Sequence, residues 1–193
     1  MFSKTLGEKW KTNSGDHWYT YAEEFAAGHL GLGEGKTCLI IGSPRSEVGE
    51  ILSLGWKVTY MDIRKPPFEV NFVQADACDN PLPNESFDAV SSTCVLCHAG
   101  TGRYGDAVKK NGDVSMLAHI HRVLNTGGKA VLMFGPEGKE PTVDHRCYTR
   151  EGAEGLMETL GFDVKDSRTL KGYVSLMGVK RVAAADSRNS GTP

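Results

Sequence analysis

The sequence predicts an α/β fold with a doubly wound sheet that is mostly parallel and has an antiparallel C-terminal edge strand. Short apolar runs rich in β-branched residues alternate with helical patterns, which is typical of parallel strands covered by helices. The 23 glycines divide the chain into short elements and argue against a plain helical bundle. The last two apolar runs have little sequence between them, so we expect them to pair antiparallel.

Local signals place the elements of the first half. Ser43 and Pro44 are a typical helix start and Gly55 is a typical helix end. In order, we expect a helix at 18–28, a strand at 37–41, a helix between Pro44 and Gly55, and strands at 56–61, 70–74 and 87–92. Proline-containing loops replace the helices between the second and third strands and between the third and fourth.

The second half begins with a helix that Asp113 is expected to cap, and that the pair Gly127-Gly128 is expected to stop. Apolar residues from Val114 to Leu124 share one face of it. A fifth strand at 130–134, a weaker helix at 149–160 and two closing strands at 162–169 and 173–182 follow.

Length and composition fit a single domain. The chain has 193 residues, of which 39% are hydrophobic and 24% are charged. We expect the domain over residues 1–182, with a loose N-terminal arm at 1–17 and a disordered tail at 183–193. The net charge of −2 argues against nucleic acid as a partner. No apolar run approaches the ~18 residues of a membrane helix, and no signal peptide is evident, so we expect a cytoplasmic protein with no membrane partner.

Candidate binding residues follow the strands, because open parallel sheets bind ligands at the carboxyl ends of their strands. The turn at Gly42 leads into a helix N-terminus, which could bind an anionic group of a ligand. The structural alternative is a plain strand-to-helix turn. Asp62 could accept both hydroxyls of a ribose, or cap a loop. Asp76 could accept from an adenine amino group, or form an Asx turn. In series, the three indicate an adenosine-containing cofactor.

Further motifs resemble the class I S-adenosylmethionine-dependent methyltransferases. They are Asp76-Ala77, Pro81-Leu82-Pro83, the run from Glu85 to Val90, His98 and the run from Arg122 to Gly128. The resemblance covers about residues 37–182. The runs from Gly102 to Asp106 and from His145 to Tyr148 resemble a small, poorly characterised branch of that fold. The resemblance implies a Rossmann-like sheet, an enzyme, and S-adenosylmethionine as the cofactor. The first loop is less rich in glycine than is usual in the family.

The resemblance also implies a set of site residues. The expected cofactor-binding residues are Gly42, Ser43, Pro44, Asp62, Ile63, Asp76, Ala77, Thr93 and Cys94. The loops after the fourth and fifth strands should face each other across the methyl group. There His98 or His145 could act as a catalytic base, with Tyr104, Asp106, Arg146 and Tyr148 as substrate-binding residues. A strand-end histidine, a glycine-rich surface turn and loop packing are the structural alternatives for these residues.

The expected reaction is in-line methyl transfer to a small-molecule acceptor. The sulfonium methyl group is already electrophilic, so the protein has to bind, orient and exclude water, and no metal is expected. Cys94-Val95-Leu96-Cys97-His98 formally matches a haem-attachment pattern. A zinc site from Cys94, Cys97 and a distant histidine is the other alternative. Because no export signal is present, we expect neither haem nor metal at these cysteines.

Two other functional classes stay open. One is an NAD(P)-dependent oxidoreductase on a Rossmann-like sheet, which is disfavoured because Pro44 stands where the Gly-x-Gly-x-x-Gly fingerprint needs glycine. The other is a non-catalytic cofactor-binding subunit of a larger complex. The short loops leave room for a homodimer or a partner subunit to complete the substrate site.

Overall fold

The computed structural model describes residues 17–43, 45–138 and 140–182. The helices are α1 (His17–Leu30), α2 (Arg45–Ser53), α3 (Gly112–Val123) and α4 (Arg150–Thr159). The strands are β1 (Thr37–Ile41), β2 (Lys57–Asp62), β3 (Asn71–Gln74), β4 (Phe87–Thr93), β5 (Leu124–Pro136), β6 (Phe162–Leu170) and β7 (Tyr173–Lys180). A 3-10 turn spans Leu96–His98. The arm expected at residues 1–17 lies outside the described residues except for His17, with which α1 begins, and the tail expected at 183–193 lies wholly outside them.

The strands form one sheet in the order β3-β2-β1-β4-β5-β7-β6. Strands β1 to β5 are parallel, whereas β7 is antiparallel to both β5 and β6. The predicted fold class is therefore confirmed, and the antiparallel strand lies one position in from the edge because β6 and β7 form a hairpin. The strand order reverses at β1 and β4, so a crevice is expected at the carboxyl ends of these two strands.

Helices cover both faces of the sheet. On one face, α1 and α2 bury Phe25 and Ile51 against Ile40 of β1. On the other face, α3 and α4 bury Leu117 and Met157 in a second cluster. Burying each such side chain contributes roughly 1.5–3 kcal/mol relative to leaving it exposed. These two layers make the sheet a rigid platform for the loops at its carboxyl edge.

The start and end of α3 differ from the sequence prediction. Asn111 occupies the N-cap position without a capping side-chain bond, so the prediction that Asp113 caps the helix was wrong. The helix ends at Val123 because Leu124 is extended and pairs with Phe87 of β4. Gly127 and Gly128 therefore lie within β5 and do not stop the helix. The end of α3 at Val123 is therefore set by strand pairing with β4, and the local sequence carries no signal for that pairing.

The loops at residues 63–70 and 75–86 contain no helix, as predicted. Arg122 of α3 braces the second loop by donating to the carbonyl oxygens of Leu82 and Asn80.

No helix among the described residues is both long and apolar enough to cross a membrane.

Candidate active site

A cleft of about 440 Å³ opens at the carboxyl ends of the parallel strands. Most of the expected cofactor-binding residues line it: Gly42, Asp62, Ile63, Asp76, Ala77, Thr93 and Cys94. Four residues expected on the acceptor side also line it: His98, Tyr104, Asp106 and His145. Ser43 is buried and is not part of the cleft lining. Pro44 lies outside the described residues.

Gly42 lets the backbone form the floor of the cleft. Its φ is +57°, and a Cβ at this position would lie 2.8 Å from Cγ2 of Val95. Any side chain would therefore be strained and would collide with the loop after β4. The Gly42 amide donates to the carbonyl of Met61 at 2.9 Å, so that particular N–H is used by the sheet.

Ser43 and Glu47 tie the turn after β1 to the end of β4. The Ser43 hydroxyl accepts from the Thr93 amide at 2.9 Å. Glu47 of α2 is fully buried, and its Oε1 accepts from the Ser91 hydroxyl at 2.5 Å. Burial raises the pKa of Glu47 despite this bond. Sequence reasoning missed Glu47, although an acidic residue beside the apolar Val48 and Ile51 was a usable signal.

Asp62 presents its carboxylate to the cleft from the end of β2. Its Oδ1 accepts from the Arg64 amide at 2.8 Å, and its Oδ2 accepts from the Tyr60 hydroxyl at 3.3 Å. A carboxylate has about four acceptor sites. Two therefore remain for a ligand, which is the number that a ribose diol requires.

Asp76 forms the Asx turn that was its structural alternative, because its Oδ1 accepts from the Cys78 amide at 2.8 Å. The carboxylate nevertheless lines the cleft. Its Oδ2 lies 3.9 Å from Nζ of Lys109. The turn thus fixes the position of an acceptor that still faces the cleft.

His98, Tyr104 and His145 cluster at the other half of the cleft. The imidazole rings of His98 and His145 are 4.7 Å apart, and the ring of Tyr104 meets that of His98 edge-on at 5.4 Å. Nδ1 of His98 lies 2.7 Å from the carbonyl oxygen of Asp144. Burial lowers the pKa of His98. Loops after β4 and β5 therefore meet here, as the sequence predicts.

Arg146 and Tyr148 do not line the cleft. The Arg146 guanidinium donates to the carbonyl oxygens of Ala99 and Lys109, and it thereby clamps the loop after β4. The Tyr148 hydroxyl donates to Asp113 at 3.1 Å. The structure thus brings four of the six residues expected on the acceptor side to the cleft, and it places Arg146 against the loop after β4 and Tyr148 against α3.

Arg64, Arg103 and Tyr173 line the cleft but were missed in the sequence. Arg64 lies two residues after the strand-end Asp62, and Arg103 belongs to the glycine-rich turn that ends at Asp106, so both had a positional signal. Tyr173 begins β7, and only the antiparallel insertion of that strand beside β5 brings it to this edge.

A family model described as a methyltransferase domain matches residues 30–132. Among solved structures, the chain is similar to Burkholderia thailandensis 1,6-didemethyltoxoflavin-N1-methyltransferase with bound 1,6-didemethyltoxoflavin and S-adenosylhomocysteine, at 19% identity over 92% of this chain and 84% of that one, with a TM-score of 0.70. An S-adenosylmethionine-dependent methyltransferase from Mesorhizobium loti is 14% identical over 84% and 100% of the two chains, with a TM-score of 0.62. The cyclase SpnF is 14% identical over 90% and 86%, with a TM-score of 0.67. No curated protein sequence matches the chain. At these identities the structural likeness shows the fold alone.

Proposed function

The chain belongs to the methyltransferase domain family, among the class I S-adenosylmethionine-dependent enzymes, and on that premise we propose that it methylates a small-molecule acceptor by in-line displacement. One observation carries the proposal. A single continuous cleft joins the strand-end acids Asp62 and Asp76 to the histidine pair His98 and His145. Its volume of about 440 Å³ lies within the usual range of small-ligand sites, roughly 300–1,000 Å³.

In this proposal S-adenosylmethionine occupies the half of the cleft above β1 to β3. Asp62 accepts from the ribose hydroxyls with its two remaining acceptor sites, and Asp76 lies near the adenine. Gly42 allows the cofactor to approach the backbone closely. Ile63 and Ala77 supply apolar contacts to the base, while Thr93 and Cys94 lie beside the methionine portion.

The acceptor then lies between the loops after β4 and β5. When bound, S-adenosylmethionine would supply its electrophilic methyl group to the nucleophilic atom of the acceptor, and sulfur would keep the electron pair of the carbon–sulfur bond. An acceptor hydroxyl or amine must also lose a proton, and His98 or His145 is the candidate base because both line this half of the cleft. Tyr104 and Asp106 shape the wall of the acceptor site.

A small molecule fits this site better than a macromolecule. The cleft has a volume of about 440 Å³, the chain carries no net basic charge, and no large substrate domain interrupts the sheet within the described residues. The Burkholderia neighbour was solved with 1,6-didemethyltoxoflavin and S-adenosylhomocysteine bound. A homodimer or a partner subunit as an additional wall, and a cytoplasmic location, stay predictions.

Calorimetric titration with S-adenosylhomocysteine and, separately, with NAD tests the cofactor. Incubation with S-adenosylmethionine and pooled small-molecule fractions then tests the reaction, with mass spectrometry scored for products heavier by one methyl unit and for S-adenosylhomocysteine. The expected result is binding of S-adenosylhomocysteine and methylation in at least one fraction. Binding of NAD alone would overturn the proposal, and cofactor binding without any product would favour a non-catalytic subunit.

A further inference from the structure

Cys97, His98 and His145 bring a thiol and two imidazoles together in the acceptor half of the cleft. One potential ligand atom of each residue lies within 4.8 Å of the other two. All three residues line the cleft, and Cys97 is the most deeply buried of them. The first two belong to the 3-10 turn after β4, and the third belongs to the loop after β5.

Two hydrogen bonds hold these loops in register. The Arg146 amide donates to the carbonyl oxygen of Cys97 at 2.8 Å. Nδ1 of His98 lies 2.7 Å from the carbonyl oxygen of Asp144 and must carry the proton of that bond. Nε2 of His98 therefore keeps its lone pair, and a backbone carbonyl on the opposite nitrogen is a common arrangement for a metal-binding histidine.

Further contacts position the thiol and the second imidazole. A Cβ at residue 135 would lie 2.9 Å from Cβ of Cys97, so Gly135 permits β5 to pack directly against this side chain. Thr142 and His145 form an isolated backbone bridge, in which the Thr142 amide donates to the His145 carbonyl at 2.9 Å. The three ligand atoms thus come from braced loops.

We propose that Cys97, His98 and His145 form a binding site for one divalent cation of the zinc type, with an open coordination position toward the cleft. A thiolate with two imidazoles suits Zn²⁺ and Co²⁺, whereas Mg²⁺ prefers oxygen ligands. Three protein ligands with one open position are typical of catalytic zinc sites, while structural sites use four.

The spacing of the ligands is compatible with such an ion after a small adjustment. Zinc–sulfur and zinc–nitrogen bonds of about 2.3 and 2.0–2.1 Å place tetrahedral ligands about 3.3–3.6 Å apart. Because the widest pair lies no more than 4.8 Å apart, binding draws the side chains together by about 1 Å. Rotation of the His145 and Cys97 side chains can supply this movement. The bond between Arg146 and Cys97 and the bond between His98 and Asp144 then remain in place.

One thiolate and two neutral imidazoles would leave one positive charge on a bound divalent cation. On binding, the cation replaces the Sγ proton of Cys97, so each ion bound releases one proton. The nearby cation Arg103 is paired with Asp144, with Nη1 and Oδ2 3.0 Å apart. This pairing reduces its repulsion of a bound ion.

The proposed site departs from the expectation that Cys94 and Cys97 hold no metal, and it does so only at Cys97. The zinc alternative in the sequence combined Cys94, Cys97 and a distant histidine, whereas the proposed cluster keeps Cys97, has His98 in place of Cys94 and takes His145 as the distant histidine. Binding of the cation does not depend on the function proposed above, whereas a role of the cation in the reaction does. An acceptor hydroxyl on the open position would lose its proton more readily, as metal-bound water does. His98 and His145 would then act as ligands, and the cation would take over their task.

The test is a cobalt titration of the full chain after removal of metals with a chelator. Saturation at one Co²⁺ per chain is expected, with a thiolate-to-cobalt charge-transfer band in the near ultraviolet, visible bands of tetrahedral Co²⁺, and displacement by Zn²⁺. Cys97→Ser should remove the charge-transfer band, and His145→Ala should weaken Co²⁺ binding at least tenfold. Cys147→Ser, which alters a nearby thiol outside the cluster, should leave the spectrum unchanged.

Circular dichroism of each variant checks that it is folded. Failure to bind stoichiometric Co²⁺, or a charge-transfer band that persists in folded Cys97→Ser, would overturn the proposed metal site. Calorimetry with S-adenosylhomocysteine on the metal-free protein is a separate measurement. Loss of cofactor binding there would count against the proposed function and leave the metal site standing.

Discussion

The guanidinium of Arg64 lies over the ring of Tyr104, with Cζ 4.8 Å from the ring centre. Arg64 follows β2 and Tyr104 follows β4, so this cation–π contact joins loops from two sides of the cleft. Tyr104 also meets His98 edge-on. One exposed tyrosine therefore contacts both the proposed cofactor half and the proposed acceptor half.

The contact holds Arg64, whose amide donates to Asp62, so its loss should loosen the ribose end of the proposed cofactor site. We expect Tyr104→Ala to weaken S-adenosylhomocysteine binding by up to about two- to fivefold, because an exposed cation–π contact contributes at most roughly 0.5–1 kcal/mol to that order. Tyr104→Phe keeps the ring and should bind almost as the wild type does. Calorimetry on Tyr104→Ala, Arg64→Gln and the double variant forms a double-mutant cycle. Strictly additive losses would show that the two side chains are not coupled.

Asp62→Ala should weaken S-adenosylhomocysteine binding tenfold or more. Two charge-assisted hydrogen bonds to a ribose, each contributing about 1.5–3 kcal/mol, would be lost. Asp62→Asn keeps the size and one oxygen acceptor, so an intermediate loss is expected. Asp163→Ala removes an exposed carboxylate of the edge strand β6 and serves as the control. Wild-type affinity in folded Asp62→Ala would refute the ribose assignment.

The fold was predictable because the strands carry their own signal. The run at β1 is short and mostly apolar, and both β1 and β4 are buried along almost their whole length. Sequence signals were weaker where pairing overrides local preference. Leu124 belongs to the apolar face predicted for α3, yet its pairing with Phe87 makes it the first residue of β5.

The candidate site was predictable where each residue depends only on its own strand end, as Asp62 and Asp76 do. It was not predictable where tertiary contacts decide orientation. Tyr148 follows β5 like His145, but its hydroxyl bonds to Asp113 of α3 and turns away from the cleft. The grouping of Cys97 with His145 likewise depends on the backbone bond between Arg146 and Cys97.

One of the two variants His98→Ala and His145→Ala should lower turnover about 10²–10⁴-fold, if that histidine removes the acceptor proton. Its affinity for S-adenosylhomocysteine should stay nearly unchanged, because neither ring belongs to the proposed cofactor half. The assay measures S-adenosylhomocysteine formation with an active acceptor fraction and a chelator present. His119→Ala, on α3, is the control. An increase in KM alone in both variants would show that the pair positions the acceptor and does not act as a base.

Glu47 should make the stability of the protein depend on pH. Burial raises its pKa in the folded state, whereas an unfolded glutamate titrates near about 4.3. Above that pH the folded state holds more protons than the unfolded state, so the contribution of Glu47 to stability is present below about pH 4.3 and is lost as the pH rises through the folded pKa.

Glu47→Gln keeps the shape of the side chain but does not titrate. We therefore expect its free energy of unfolding, measured with urea, to rise relative to that of the wild type between pH 5 and pH 8. Glu47→Ala should instead destabilise the protein at both pH values by about 1–3 kcal/mol, because it leaves the buried Ser91 hydroxyl without its acceptor. If the wild type and Glu47→Gln changed in parallel across this range, Glu47 would not be the titrating group. The glutamine variant should still bind S-adenosylhomocysteine, because Glu47 is buried and does not line the cleft.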